Sequence, residues 1–508
     1  MRLRTASLLL LLWLAALQPS STAYSADGWE ALVNGIDYRQ FWLSGPNRAY
    51  VARMDRSAPN LIVNSMLAQG KLYEGVETVA GMARRYDGTI TPWGNAWDHV
   101  GRAIVAINGI FYDPETGAPE TGMIQSGWYI KRFDDLGGTS GFAWKMDGSA
   151  FIGGCVYHEE ERQIVTFLDR GQSMEIGGIN VDQRSSRIVI YTPQYDAHTH
   201  TGERGVEVVV EMTRPAGITP LPRMAVGHIR NIRQNLGSTY LPFDHIVISA
   251  RGEAGRRLLN RAGIGERIGV SQEIAHLGRD CRSSHGWDWS QTFASIGGSF
   301  HFLDDGEIDP YEDNLGAVQR NPRTMVCASD DYLYFVVVDG RQSGYSVGMS
   351  ASEMGRFCGG TLEAEWGINQ DGGGSSTMWI DGAVVNRPSD GEPRQVANGL
   401  MMVALDPIQR SIEFGSGESV LVAEQATLRL GPGSNFGEIE TIPAGTEGII
   451  LPHLNRLNGV LVRDANWWRV AFVGVQGWVE EDTLESQGGL ARRLRSMREI
   501  LQSVITDL

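Results

Sequence analysis

Cysteine is scarce. The 508 residues contain four, Cys155, Cys281, Cys327 and Cys358, and no two of them stand in Cys-x-x-Cys spacing, which removes a zinc ribbon and a thioredoxin-type redox site. Three pairings are open to them, and in an oxidising compartment one or two disulfides are reasonable. Charge is also sparse and unbalanced: 44 Lys+Arg face 60 Asp+Glu, a formal net charge of −16. No basic block stands outside the last turns of the chain, so a nucleic-acid partner is excluded. No Asn-x-Ser/Thr sequon occurs, which fits a bacterial envelope better than a eukaryotic secretory pathway. Apolar runs are short. The first, Leu8 to Leu17, is half of what a bilayer needs, and later ones such as Tyr332 to Val338 end in Asp339 and Gly340, so no transmembrane segment is expected.

Glycine, in contrast, is abundant at 63 residues, where average usage is about 7%. With 19 prolines, 42% hydrophobic residues and no Gly-X-Y period, the chain is neither disordered nor collagenous. Its glycines belong to turns and close backbone approaches inside two or three folded cores. Met1-Arg2-Leu3-Arg4, the apolar run and Ser21-Thr22-Ala23 read as a signal peptide over 1–26, with cleavage after Ala23 or Ala26. The expected location is therefore secreted, periplasmic or cell-envelope.

Residues 27–100 read as an N-terminal α/β part of a catalytic region, with a helix from Gly75 to Tyr86. The stretch 101–410 is strand-rich, with β-branched runs at Arg187, Val206, His245 and Tyr332. Helices are expected over Glu253–Ala262 and Ser350–Cys358, the latter opened by the capping box Ser350-x-x-Glu353. The fold class is α+β, a large mixed-sheet catalytic domain followed by a small all-β barrel. In 420–486, five short strands alternate with Gly/Pro/Asn turns. Leu428-Arg429-x-Gly431-Pro432-Gly433, Pro443-x-Gly445-Thr446, Trp468-Arg469-Val470 and Gly477-Trp478-Val479 resemble the bacterial SH3-like family. That resemblance implies a cell-wall or peptide ligand, with Trp467, Trp468 and Trp478 lining a groove or filling the core. An amphipathic helix is expected over 488–508.

The most distinctive motif is Asn369-Gln370-Asp371-Gly372-Gly373-Gly374-Ser375-Ser376-Thr377. Three glycines let backbone N–H groups approach a ligand, and the hydroxyls add donors, which suits an anion. It is not a P-loop, because no Gly-Lys-Ser/Thr follows and Met378 to Asn386 reads as a hairpin turning at Asp381-Gly382. No Gly-x-Ser-x-Gly elbow surrounds Ser375 or Ser376. His198-Thr199-His200 lacks a third ligand, and Asp304 to Asp309 lacks calcium-loop spacing, so no metal and no cofactor is expected.

Asn108-Gly109-x-Phe111-Tyr112, Pro322-Arg323-Thr324, Val338-Asp339-Gly340-Arg341, Gly348-Met349-Ser350, the glycine loop, Asn386-x-Pro388-Ser389 and Arg394 together resemble the phosphodiester glycosidase family, over roughly Ala103 to Val403. That resemblance implies hydrolysis of the sugar–phosphate bond of a glycosyl-1-phosphodiester, with a carbohydrate or glycosyl-phosphate polymer as substrate. Charge collects on the departing phosphate and on an oxocarbenium-like sugar, so the site needs cations, fixed N–H dipoles and a carboxylate. Asp371 is the expected base or nucleophile, with Asp339 or Glu353 as second carboxylate. Arg323, Arg341 and the amides of Gly372 to Gly374, together with Gly109, are expected at the phosphate, and Asn108 at a sugar hydroxyl or the phosphate. Ser375, Ser376, Asn386 and Arg394 complete the binding set. The competing reading is a non-catalytic exopolysaccharide or cell-wall polymer binder on the same fold.

Overall fold

The computed structural model describes residues 28–487 and Ile500, apart from 74, 94–95, 134–140, 155, 184–186, 214–223 and 277–291. The expected signal peptide, all of the expected terminal helix but Ile500, and Cys155 and Cys281 lie outside the described residues.

The run Tyr332–Val338 shows why the centre of the molecule is a sheet covered on both faces. Successive side chains of a strand point to opposite sides. Leu333, Phe335 and Val337 enter one core, whereas Tyr334, Val336 and Val338 enter another. The strand lies in an eight-stranded sheet in the spatial order Glu30–Val33, Ile36–Leu43, Asn47–Asp55, Tyr332–Val338, Arg323–Ala328, Trp366–Asn369, Phe300–Asp304 and Glu307–Ile308. Helix Ala351–Thr361 covers one face through Met354, Phe357 and Cys358. Cys358 is disulfide-bonded to Cys327 of that sheet, at a sequence separation of 31. The opposite face shares a core with a second sheet, in which Ala96–Asn108 runs between Met378–Ile380 and Asn398–Pro407. A third sheet, built around Gly141–Lys145 and Thr292–Gly297, adds Phe142, Trp144 and Phe293 to the same core.

Seven strands between Val156 and His276 close into a barrel. Gln172–Ile179 and Ile188–Tyr191 pair in parallel, and every other pairing of the described strands is antiparallel. The structure is consistent with the expected α+β class, while the single large mixed sheet is corrected to several sheets. The fold is mostly β, several antiparallel sheets and a closed barrel, because the long loops between β-branched runs connect separate sheets. The expected helices are present at Val79–Tyr86, Gly252–Arg261 and Ala351–Thr361. Among the described residues no helix is long and apolar enough to cross a membrane.

Strands from Ser419–Val422 to Leu484–Ser486 form a separate all-β sheet. Trp467, Trp468 and Trp478 are all buried there, so they do not line a groove. Trp468 belongs to this unit's own core, while Trp467 and Trp478 join the core of the barrel, with Trp478 edge-on to Phe243 at 5.9 Å. Beneath these rings lies a buried ionic joint. Asp244 bonds His245 Nδ1 at 2.7 Å and His453 Nε2 at 2.8 Å, and Glu211 pairs with Arg230 at 2.6 Å and Arg469 at 3.4 Å. Glu211, Asp244 and His453 converge closely enough to suggest a metal site. Two guanidiniums already neutralise Glu211, so the group works as a junction of barrel and C-terminal unit.

Candidate active site

The site is assembled where the Ala96–Asn108 strand ends against the glycine loop. Asn108 is fully buried. Its Oδ1 accepts from Thr324 Oγ1 at 2.7 Å and Thr377 N at 3.1 Å, and its Nδ2 donates to the Asp371 carbonyl at 2.8 Å and to Gly109 O at 3.3 Å. A carboxamide has two donor and two acceptor positions, and all are used. Asn108 therefore fixes the loop and has no capacity left for a ligand, which corrects its expected role.

Asp339 and Asn386 form a second clamp. Buried Asp339 accepts from Asn386 Nδ2 at 2.9 Å and from the Arg387 amide at 3.0 Å, with the Tyr345 hydroxyl at 3.4 Å. Asn386 in turn donates to Ser376 O at 3.0 Å and accepts from the Met378 amide at 2.8 Å. Burial pushes the Asp339 carboxyl up while these donors hold it down. Its oxygens face inward to the loop's return strand, so it is not a second carboxylate for the reaction, and Asn386 does not reach a substrate. Glu353 is likewise spent: it completes the capping box with Ser350 and pairs with Arg320.

Each glycine of the loop makes room for a protein group. A Cβ on Gly372 would come within 2.7 Å of Pro322 O, one on Gly373 within 3.2 Å of the Arg341 guanidinium, and one on Gly374 within 2.2 Å of both Asp390 and Arg394. Gly373 also has φ +65°, where a side chain is strained. Its amide donates to Pro322 O, and those of Ser375 and Ser376 stay inside the turn. Gly109 likewise donates to Asn398 O. The amides of Gly373 and Gly109 are thus taken up within the protein, and beside Gly373 and Gly374 the space left by the missing side chains is filled by arginine.

Arg341 and Arg394 are exposed. Arg341 is held by Asn321 Oδ1 at 3.1 Å, and Arg394 by Asp390 at 2.6 Å. Arg323 is buried, its Nε and Nη2 bonded to the carbonyls of Met349, Gly316 and Gln319. Burial, with Arg341 nearby, pushes it down to about 10, so it stays cationic at neutral pH. Asp371 is half-buried. Desolvation raises its carboxyl, opposed by the Ser375 hydroxyl, Arg394 and the Gly372 amide, while the charge of Glu120 raises it further. The Tyr112 hydroxyl is raised by burial and by Asp371.

Beside the loop opens a cleft of about 330 Å³, lined among others by Phe111, Glu120, Phe300, Asn314, Arg323 and Gly372. Buried polar atoms cluster along the same segment: Asn369 Oδ1, both amide atoms of Gln370, Ser376 Oγ and Thr377 Oγ1 have no partner among the described residues. Buried polar atoms without partners are rare. Glu120, Phe300 and Asn314 were not legible as site residues, since each sits in a turn or strand start without a motif. The pairing of Phe300 with Asn369 across the sheet and the bond from Arg323 to Gly316 O bring the Phe300 and Asn314 stretches in.

Glu120 and Arg323 in the cleft, with Asp371, Arg341 and Arg394 at the adjoining glycine loop, bring carboxylates and cations together at one place. Residues 247–403 match the family model described as phosphodiester glycosidase, which shows the family resemblance over that segment, including Arg323, Arg341, the glycine loop and Arg394. Among solved structures, a hypothetical protein from Synechocystis is similar at 17% identity and TM-score 0.46, covering 73% of this chain and 62% of that one. The chain thus spans less than two thirds of that structure's length. A Burkholderia pseudomallei protein is similar at 18% identity and TM-score 0.43, covering 70% of this chain and 74% of the other. The zebrafish N-acetylglucosamine-1-phosphodiester alpha-N-acetylglucosaminidase catalytic domain, auto-inhibited by its pro-peptide, is similar at 13% identity and TM-score 0.36, covering 72% and 81%. No curated protein matches the chain.

Proposed function

We propose that this protein hydrolyses the sugar–phosphate bond of glycosyl-1-phosphodiesters. The observation that carries this reading is the gathering of Asp371, Arg394 and Arg341 at the glycine loop, with Glu120 and Arg323 lining the cleft beside it. The phosphate of the substrate sits against the exposed guanidiniums of Arg341 and Arg394, with buried Arg323 adding fixed positive charge behind it. Such cations stabilise the charge that collects on the phosphate as the anomeric C–O bond breaks. Asp371 acts at the anomeric carbon, either directly or through water, and Glu120 replaces Asp339 and Glu353 as the second carboxylate. Phe111 and Phe300 offer apolar faces to the sugar. A phosphomonoester leaves more readily than an alcohol, so a strong general acid is not required.

In this reading the chain is exported by its leader, and the Ser419–Ser486 unit is an SH3-like module that tethers it. With its tryptophans buried in its own core and in that of the barrel, a wall ligand would use the module's outer rim. The test is a substrate panel. We expect kcat/KM for a glycosyl-1-phosphodiester to exceed that for the matching uncharged alkyl glycoside at least about 100-fold, the loss of two or three charge-assisted contacts. Equal rates would overturn the reading.

A further inference from the structure

Trp42 is 73% exposed and is not loose. The Arg48 guanidinium lies 4.2 Å from its ring centre and 5.4 Å from that of Tyr345, and Arg387 stands 5.1 Å from the same Tyr345 ring. The ladder Trp42, Arg48, Tyr345, Arg387 is therefore continuous. It is also rigidly mounted. Tyr345 OH bonds Tyr50 OH at 2.8 Å, and Asn47 Oδ1 accepts from the amides of Val347 and Gly348 at 3.1 and 2.8 Å. Gln342 Nε2 donates to Arg387 O at 2.9 Å, which joins the ladder to Arg341, the cation lying over Gly373 of the active-site loop. Among the described residues no carboxylate is ion-paired with the guanidinium of Arg48, Arg341 or Arg387, in a chain whose net charge is −16. Asp339 takes the Arg387 backbone amide and not its guanidinium.

A simple diester carries one negative charge, which the cleft satisfies. Unpaired cations leading away from the cleft, alternating with aromatic rings, match a ligand that repeats charge and ring. We propose that this strip holds the continuation of the substrate on its phosphate side, an oligomer of sugars joined through phosphodiesters. Phosphates meet Arg387 and Arg48, and a sugar ring lies on the outer face of Trp42. The proposal rests on the reading of the cleft given above and names its substrate class. A nucleic acid offers rings and charge too, and an oligonucleotide of equal charge distinguishes it from the sugar-phosphate oligomer.

The test uses the whole protein and the double variant Arg48→Gln/Arg387→Gln. The probes are an oligomer of glycosyl-1-phosphate repeats, a neutral oligosaccharide of the same sugars, and a single-stranded oligonucleotide of the same charge. In affinity electrophoresis the phosphate oligomer is retained most strongly. The double variant weakens that retention about tenfold, the effect of two exposed cation contacts, and raises the oligomer KM similarly. kcat/KM for a monomeric diester stays within about twofold. Trp42→Ala weakens binding of the oligomer as well. Retention of the oligomer within twofold of wild type in the double variant, or an oligonucleotide held as tightly, would overturn the proposal. Absence of turnover on every substrate, with charge-dependent retention intact, would instead count against the hydrolytic reading alone.

Discussion

Asp371→Asn lowers kcat on a glycosyl-1-phosphodiester by about 10³-fold, the middle of the range for losing a base or nucleophile, while the protein keeps its melting temperature within a few degrees. The substitution is isosteric, and the contacts that hold the loop use the backbone of Asp371: its carbonyl accepts from Asn108 and its amide donates to Gly109. What changes is the charge facing Arg394 and Tyr112. Binding of an oligomeric ligand survives, since the guanidiniums remain. If turnover and retention are both unchanged, the protein is a polymer binder in which Asp371 has no chemical part. The pH profile checks the same group. Desolvation raises its carboxyl above the usual aspartate range, and the ionised form is the active one. The acid limb of kcat/KM therefore lies higher than for an exposed aspartate, and activity falls as pH drops through it.

Asp244→Leu destabilises the protein by about 3–5 kcal/mol, the cost of leaving a buried charge network half-paired, and releases the C-terminal unit from the barrel. The carboxylate is almost wholly buried between two histidines, and Glu211 stands beside it with Arg230 and Arg469. His245, His453 and the arginines hold both acids below their ordinary values, Asp244 well below. For groups depressed in the folded state, the stabilisation is complete above the unfolded carboxylate range near pH 4 and is lost as pH falls below it through the folded values. Urea melts of wild type from pH 7 down to pH 3 would show this loss, and Asp244→Leu would flatten it. A melt midpoint for the variant equal to that of wild type at pH 7 would contradict the joint's role.

Local features were readable from the sequence because local rules produce them. The Ser350–Glu353 box caps its helix, Asp381 and Gly382 both take positive φ between Met378–Ile380 and Ala383–Val384, and Tyr332–Val338 is a strand over those residues. The glycine loop also marked the site. What escaped depends on contacts between distant positions. Asn108 meets the Asp371 carbonyl 263 positions away, so its saturation could not be seen beside it. Asp339 looked like a free acid after a strand, yet Asn386 consumes it from 47 positions downstream. The closed barrel needs Ile188–Tyr191 to lie between Gln172–Ile179 and His245–Ala250, a crossover that strand periodicity does not encode. The tryptophans of the C-terminal unit could equally have lined a groove until the barrel beneath them was in place.

The central claim, that the carbon–oxygen bond of a sugar phosphodiester is the one cleaved, is tested most directly by running the hydrolysis in ¹⁸O-labelled water and locating the label by mass spectrometry. Attack at the anomeric carbon places the label on the sugar and leaves the phosphomonoester unlabelled, which is the predicted result. Label in the phosphate would show cleavage at phosphorus and contradict the account.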